Sequence, residues 1–128
     1  MARGGIEKPI GYETIWKDRD GRIRTKVKVA PEDREKYGRK DRNMIDKRVV
    51  VYLDNHKEET FEDLKNHIII HLDGDTTNFN VDNLEKIPKN IFLLMLNNRM
   101  YFNDRELNKS SILVAKTIYE ARKKSKNE

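Results

Sequence analysis

Residues 67–92 read HIIIHLDGDTTNFNVDNLEKIPKNIF, and this stretch decides the fold that we predict for the chain. The run of isoleucines before His71 favours an extended strand, because β-branched side chains fit a pleated sheet. Asp73-Gly74 supplies a turn, and Pro88 is tolerated in the first turn of a helix, where a missing N–H breaks no hydrogen bond. The pattern predicts a strand, a polar loop, a short strand and a helix. We expect His71 at the end of the buried strand, with its ring turned toward carboxamides and carboxylates.

The polar residues of this stretch have a spacing that resembles the HNH endonuclease motif, of the form HxDGxxxNxxxxNL. The matching positions are His71, Asp73, Gly74, Asn78, Asn83 and Leu84. The resemblance is specifically to the small HNH proteins that bacteriophages and prophages encode, and it implies an α+β fold. We expect a central ββα-metal finger at about residues 66–98, an N-terminal basic β-hairpin before it, and C-terminal helices after it, with a helical tail at about 104–125.

The resemblance also implies roles for individual residues. His71 is the expected general base, which draws a proton from water so that hydroxide attacks a phosphate. Asn83 is expected to brace the loop and to orient His71 by hydrogen bonding, while Asp73 and Gly74 form the tight turn of the motif. In an active member of the family, one divalent cation, Mg²⁺ or Mn²⁺, stabilises the charge that develops on the phosphate and on the leaving oxygen.

The metal ligands are where this sequence departs from the family pattern. The family usually places a ligand immediately before the base and another on the helix beyond the middle Asn, and Ile70 and Phe92 occupy those positions here. Neither side chain can bind a cation. The candidate replacement ligands are Asp73, Asp75, Asn78 and Asn90, because Mg²⁺ prefers oxygen donors. Asp73 and Asp75 lie two apart in a loop, so both could turn inward. The alternative is that a loop Asp beside Gly bonds its own backbone as a turn former.

The net charge of +5 is spread unevenly along the 128 residues. Basic residues number 15 against 9 acidic ones in residues 1–48, 6 against 11 in residues 49–108, and 6 against 2 in residues 109–128. The predicted site is therefore in the acidic part, which suits a cation or a basic protein partner. If DNA is the partner, the two basic flanks supply most phosphate contacts, because Lys and Arg release counterions from DNA. The candidate DNA-binding residues are Arg22, Arg24, Lys26, Lys28, Arg39, Lys40, Arg42, Lys123 and Lys124.

A predicted hairpin precedes the central stretch, with its turn at residues 18–21. Alternation with a period of two predicts one apolar and one basic face on the strand that follows. The apolar face comprises Ile23, Thr25, Val27 and Val29, and the basic face comprises Arg22, Arg24, Lys26 and Lys28. This basic face either grips phosphates or is a solvated edge whose lysines prevent aggregation. We expect Trp16 to be a core anchor.

The remaining segments complete the predicted architecture. Residues 1–9 form a flexible lead, and residues 10–128 form a single HNH-like domain. Residues 48–54 (RVVVYLD) favour a strand, with a short helix as the alternative. Apolar residues at 91–96 predict a buried helix, and a second helix is expected to run from Leu107 or Ser110 to the tail.

Composition excludes several classes of protein. The chain has no Cys, so it has neither a disulfide framework nor a thiolate metal site, and it has no apolar run long enough to span a bilayer. We therefore expect a protein of the bacterial host's cytoplasm with no membrane partner, and the sequence leaves its oligomeric state open.

Three functional hypotheses follow. The first is an HNH endonuclease that binds DNA through its basic flanks and hydrolyses phosphodiesters. The second is a catalytically inactive HNH-fold protein that inhibits or regulates a host or defence protein. The third is a small α+β domain in which His71 is a satisfied core histidine.

Overall fold

The computed structural model describes residues 8–127, and over these residues the chain is an α+β protein with small antiparallel sheets and C-terminal helices, as predicted. Most of the predicted flexible lead at residues 1–9 lies outside the described residues. The chain divides into two compact units, Met1–Glu62 and Asp63–Glu128. The expectation of a single HNH-like domain over residues 10–128 stays a prediction.

The first unit contains a three-stranded antiparallel sheet followed by one helix. Its strands are β1 (Glu13–Lys17), β2 (Ile23–Lys28) and β3 (Met44–Asp46), in that spatial order. Trp16 pairs with Arg24 between β1 and β2, and Val27 pairs with Ile45 between β2 and β3. Two 3₁₀ turns, at Pro31–Asp33 and Glu35–Tyr37, connect β2 to β3. The predicted N-terminal hairpin is therefore present, with a third strand added to it.

The burial of two side chains in this hairpin differs from what the sequence predicts. Lys28 is only 4% exposed, and its ammonium donates a hydrogen bond to the carbonyl of Lys8. The prediction that Lys28 lies on an exposed basic face is therefore wrong. Every residue of β1 is exposed, and Trp16 is 42% exposed. The prediction of a core anchor at Trp16 is also wrong, because Trp16 lies on an edge strand of the sheet.

Residues 48–54 form a helix, so the predicted strand is wrong and the alternative was correct. Helix α1 spans Lys47–Asn55. The carboxylate of Asp46 caps its N-terminus by accepting a hydrogen bond from the backbone N–H of Arg48 at 2.9 Å. Tyr52 and Leu53 form its buried face. The cap and this face outweigh the strand preference of the valines, which is a weak and context-dependent preference.

The second unit has the predicted strand, loop, strand and helix, followed by a long helix. Strand β4 (His67–His71) pairs antiparallel with β5 (Leu84–Pro88), and β5 leads directly into α2 (Lys89–Asn97). Helix α3 (Arg105–Asn127) begins two residues before Leu107, the earlier of the two predicted starts, and close to residue 104, where the helical tail is expected to begin. The buried core between these elements consists of Ile70, Leu72, Ile87, Ile91, Leu94, Met95, Ile112 and Ala115. Helix α2 therefore packs on the two-stranded sheet, and α3 packs on α2 and adds Ile112 and Ala115 to the same core.

None of the helices in residues 8–127 has both the length and the apolar character that crossing a membrane requires.

Candidate functional site

His71 is the last residue of β4 and is 1% exposed. Two groups donate hydrogen bonds to its backbone carbonyl. The carbonyl accepts hydrogen bonds from the N–H of Gly74 at 2.9 Å and from the hydroxyl of Tyr101 at 2.8 Å. The neighbouring Leu72 N–H donates to the carbonyl of Asn83 at 2.7 Å, which extends the pairing of the two strands. The strand end therefore has a defined position relative to the loop that follows it.

The imidazole of His71 points into this loop. Its Nδ1 lies 3.0 Å from the carbonyl oxygen of Asn78. Because a carbonyl oxygen only accepts, Nδ1 carries the proton, and Nε2 is the basic nitrogen of the neutral ring. The ring of Phe79 meets the imidazole edge-on, with centroids 5.1 Å apart and an interplanar angle of 80°. The loop thus sets both the tautomer and the orientation of the histidine.

Asn83 ties the two ends of the loop together. Its side-chain oxygen accepts from the N–H of Asp73 at 3.0 Å. Its Nδ2 donates to Asp73 Oδ1 at 2.9 Å and to the carbonyl of Asn78 at 3.2 Å. Asn83 and His71 therefore share the Asn78 carbonyl, while the role of Asn83 in orienting the imidazole stays a prediction.

Asp73 is held in the same network. Its Oδ1 also accepts from the N–H of Asp75 at 2.8 Å, and its Oδ2 accepts from Asn78 Nδ2 at 2.8 Å. Burial alone would raise the pKa of Asp73, but the hydrogen bonds from Asn78, Asp75 and Asn83 outweigh it, so the pKa lies below its usual value. The carboxylate is therefore ionised at neutral pH, and it accepts hydrogen bonds from Asp75, Asn78 and Asn83 within the loop.

Asp75 is an exposed residue that also bonds locally. Its Oδ1 accepts from the hydroxyl of Thr77 at 2.6 Å and from the N–H of Thr77 at 3.0 Å. These two bonds lower the pKa of Asp75. The local bonding of Asp73 and Asp75 is what the turn-former alternative predicts, while their role as metal ligands stays a prediction.

Gly74 is required by the close approach of another segment. Its φ is +77°, and a Cβ added here would collide with the carbonyl oxygen of Phe102 and lie within 2.9 Å of Asn103 Cα. Only glycine combines this backbone conformation with the absence of a side chain. The segment before α3 therefore packs directly on the predicted turn.

Asn108 is a residue of this region that the sequence did not single out. It is 0% exposed on α3, and its Nδ2 donates to the carbonyls of Leu72 and Phe102, both at 2.7 Å. Its Oδ1 accepts from the N–H of Phe102 at 2.7 Å. The only sequence signal is its helical spacing from Ile112 and Ala115, which places it on the core face of α3.

The predicted DNA-binding residues fall into two groups. Those of the first unit lie immediately before β2, on β2 and on the connection to β3. Arg24 pairs with Asp18 at 2.7 Å, and the ammonium of Lys26 lies 5.4 Å from the centroid of the Trp16 ring. Arg22 is half-buried and Lys28 is buried, whereas Arg39, Lys40 and Arg42 are exposed. Lys123 and Lys124 are exposed near the end of α3 in the second unit. Their contacts with DNA stay predictions.

The second unit thus places a histidine at a strand end, held by an asparagine-braced loop, before a second strand and a helix. Residues 62–91 match the family model described as HNH endonuclease, which confirms the HNH resemblance predicted from residues 67–92. No curated protein and no solved structure matches the chain. The family match indicates a nuclease-like function with DNA as the substrate of the family, and HNH domains usually use a divalent metal.

The side chains at the implied metal positions do not fit this metal. Ile70 belongs to the buried core, and the half-buried ring of Phe92 packs edge-on against Tyr101, with centroids 5.3 Å apart. Neither side chain offers a nitrogen or oxygen donor. Over residues 8–127, no group of three or more His, Cys, Asp or Glu side chains is placed to hold a metal ion. The ligand set that the resemblance implies is therefore replaced here by hydrocarbon.

Proposed function

We propose that this protein is a phage-type HNH endonuclease-like protein that binds DNA through its basic flanks and hydrolyses phosphodiesters, with β4, β5 and α2 as its ββα finger. The observation that carries the proposal is the network of His71, Asn78, Asn83 and Asp73 inside the matched segment. This network gives the imidazole one tautomer and one orientation, as a general base requires. The bacterial cytoplasm is the proposed compartment.

The chemistry assigned to this chain is proton transfer. Nε2 of His71 takes a proton from a water molecule as the water oxygen attacks phosphorus. The P–O bond to one sugar oxygen breaks, and that oxygen takes a proton from solvent and leaves as an alcohol. The Asn78 carbonyl stabilises the resulting imidazolium through Nδ1–H. Because His71 is 1% exposed, DNA reaches the ring only after covering side chains move apart, and Phe79 is one of them.

Nicking of supercoiled plasmid tests this function. The full chain is incubated with plasmid and either Mg²⁺ or Mn²⁺, alongside His71→Ala and the matched control His67→Ala, which removes the other histidine of β4. We expect nicking by the wild type and by His67→Ala, and loss of nicking in His71→Ala. Absence of nicking by the wild type, or equal nicking by His71→Ala, refutes the hydrolytic part of the proposal.

A second candidate function is favoured by the hydrocarbon at the metal positions. Ile70 and Phe92 lack donors, and the histidine is enclosed, which suits a catalytically inactive HNH-fold protein that inhibits or regulates a host or defence protein. Such a protein binds without nicking. Its complex with an apolar protein surface depends weakly on salt, whereas binding to DNA weakens steeply as salt rises. Affinity measured at several salt concentrations therefore separates the two kinds of partner.

A further inference from the structure

Several cations of the first unit already have a carboxylate partner. The pairs, with N···O distances of 2.7 to 3.1 Å, are Arg24–Asp18, Lys36–Asp54, Lys47–Glu13 and Arg48–Asp46. A carboxylate beside a cation reduces the attraction of that cation for a phosphate. The cations that remain without such a partner are therefore the better candidates for binding an anion.

A cavity of about 400 Å³ in the same unit is lined by cationic side chains that, within residues 8–127, form no ion pair with a carboxylate. It is open to solvent, its lining is mostly polar, and it is lined by Lys26, Arg34, Asp41, Arg42, Asn43 and Met44. Three cationic side chains thus face one carboxylate. Among the described residues, no ion pair joins Lys26, Arg34 or Arg42 to an acidic side chain, Asp41 included.

Arg34 supplies the second observation. Within the described part of the chain, its Nε is a buried side-chain nitrogen with no hydrogen-bond partner. An N–H that is buried without an acceptor is costly, and such groups in native proteins usually have a partner. The backbone of Arg34 is fixed, because its carbonyl accepts from the N–H groups of Tyr37 and Arg39, both at 3.1 Å. Arg34 therefore lines the cavity from a defined backbone position and has a buried Nε–H that lacks an acceptor.

We propose that this cavity binds a phosphate group, with Arg34 as its central donor and Lys26 and Arg42 beside it. A guanidinium presents several N–H groups in one plane, a geometry that matches two oxygens of a phosphate. The source of the phosphate is the DNA backbone, so this inference deepens the DNA-binding part of the proposed function and rests on it. The cavity is separate from His71 in sequence and belongs to the first unit.

Fluorescence anisotropy with a labelled duplex of mixed sequence, over a series of salt concentrations, tests the assignment. Arg34→Gln is expected to weaken binding by about 10-fold, since it removes one charge-assisted contact, and to reduce the slope of log K against log salt by about 1. Arg34→Lys keeps the charge but lacks Nε–H and the planar donors, and it is expected to stay at least about 3-fold weaker than the wild type.

The matched control is Arg19→Gln, which removes the same charge from an exposed turn of the same unit. It is expected to change the affinity by less than about 2-fold, as a general field effect. If the wild type binds DNA tightly and Arg34→Gln has the same affinity as Arg19→Gln, the cavity assignment is overturned. The DNA-binding part of the proposed function then stands. Melting temperatures of all variants check that the fold is retained.

A wild type that does not bind the duplex would refute the DNA-binding part of the proposed function, and a second measurement then decides on the cavity. Inorganic phosphate is added at constant ionic strength while the melting temperature is followed. A rise in the wild type that Arg34→Gln lacks supports the cavity as a site for free phosphate. No rise, or an equal rise in both proteins, overturns the inference.

Discussion

Replacing Asn108 by alanine tests whether α3 holds the end of β4 through one side chain. Asn108 makes three hydrogen bonds to backbone groups, one to the carbonyl of Leu72 and two to Phe102, all at 2.7 Å. The alanine variant removes all three bonds and leaves the backbone groups in place. We therefore expect a loss of stability well above that of an ordinary polar substitution.

The magnitude follows from where the three backbone groups lie. The Leu72 bond is buried, so its carbonyl is left without a partner at a cost of about 1–3 kcal/mol. The two bonds to Phe102 are part-buried, so water replaces part of what its N–H and carbonyl lose, at about 0.5 kcal/mol each. The total decrease in the free energy of unfolding is about 3 kcal/mol. With a urea m-value of about 2 kcal/mol/M, the unfolding midpoint falls by about 1.5 M.

Urea unfolding followed by circular dichroism at 222 nm measures this shift. Asn90→Ala is the matched control, because Asn90 is exposed on α2, and its effect is expected to stay within about 0.5 kcal/mol. Asn108→Asp keeps the side-chain volume but loses the donor, so it is expected to destabilise as strongly as Asn108→Ala. A midpoint for Asn108→Ala equal to that of Asn90→Ala refutes the role of the bonds, and a mild effect of Asn108→Asp shows that the cost is a void.

Three further predictions concern the loop around the histidine. Gly74→Ala is expected to lower the free energy of unfolding by more than about 2 kcal/mol in urea titration, because its Cβ meets the Phe102 backbone. The control is Gly21→Ala, which has φ +78° but open space, so it measures the cost of positive φ alone. If both variants lose the same free energy of unfolding, the collision at Gly74 is refuted. Because the pKa of Asp73 is lowered in the folded protein, its ionised carboxylate stabilises the fold at neutral pH, and this stabilisation is lost as pH falls below about 4. The free energy of unfolding of Asp73→Asn should therefore decline less steeply in acid than that of the wild type. Parallel declines contradict this prediction. Tyr101→Phe should cost about 1 kcal/mol in thermal unfolding, and no change means that its hydroxyl bond is replaced by water.

The second unit was predictable because its signals are local. The isoleucine run, the Asp73-Gly74 turn and the apolar residues of 91–96 each act over a few positions, and each produced the expected element. The family match over residues 62–91 rests on the same local string. Where neighbouring residues determine the backbone, the sequence alone is sufficient.

The errors arise where distant contacts decide. The valines before Tyr52 favour a strand by propensity, but the burial of Tyr52 and Leu53 against the rest of the unit favours α1. The alternation along β2 predicts that Lys28 is exposed, but its ammonium donates a hydrogen bond to the carbonyl of Lys8, 20 residues earlier in the chain. Asn108 has no motif of its own, because its partner Leu72 lies 36 residues away. Such pairings depend on the packed chain and have no short-range signature.

The distance in sequence between Asn108 and Leu72 has a consequence for synthesis. Translation builds the chain from its N-terminus, so both strands of the second unit are synthesised before the residue that bonds the end of β4. Until Asn108 has been added, the carbonyl of Leu72 lacks the side-chain donor that it has in the folded protein. A chain cut short before residue 108 would therefore contain both strands but lack the side chain that bonds the end of β4.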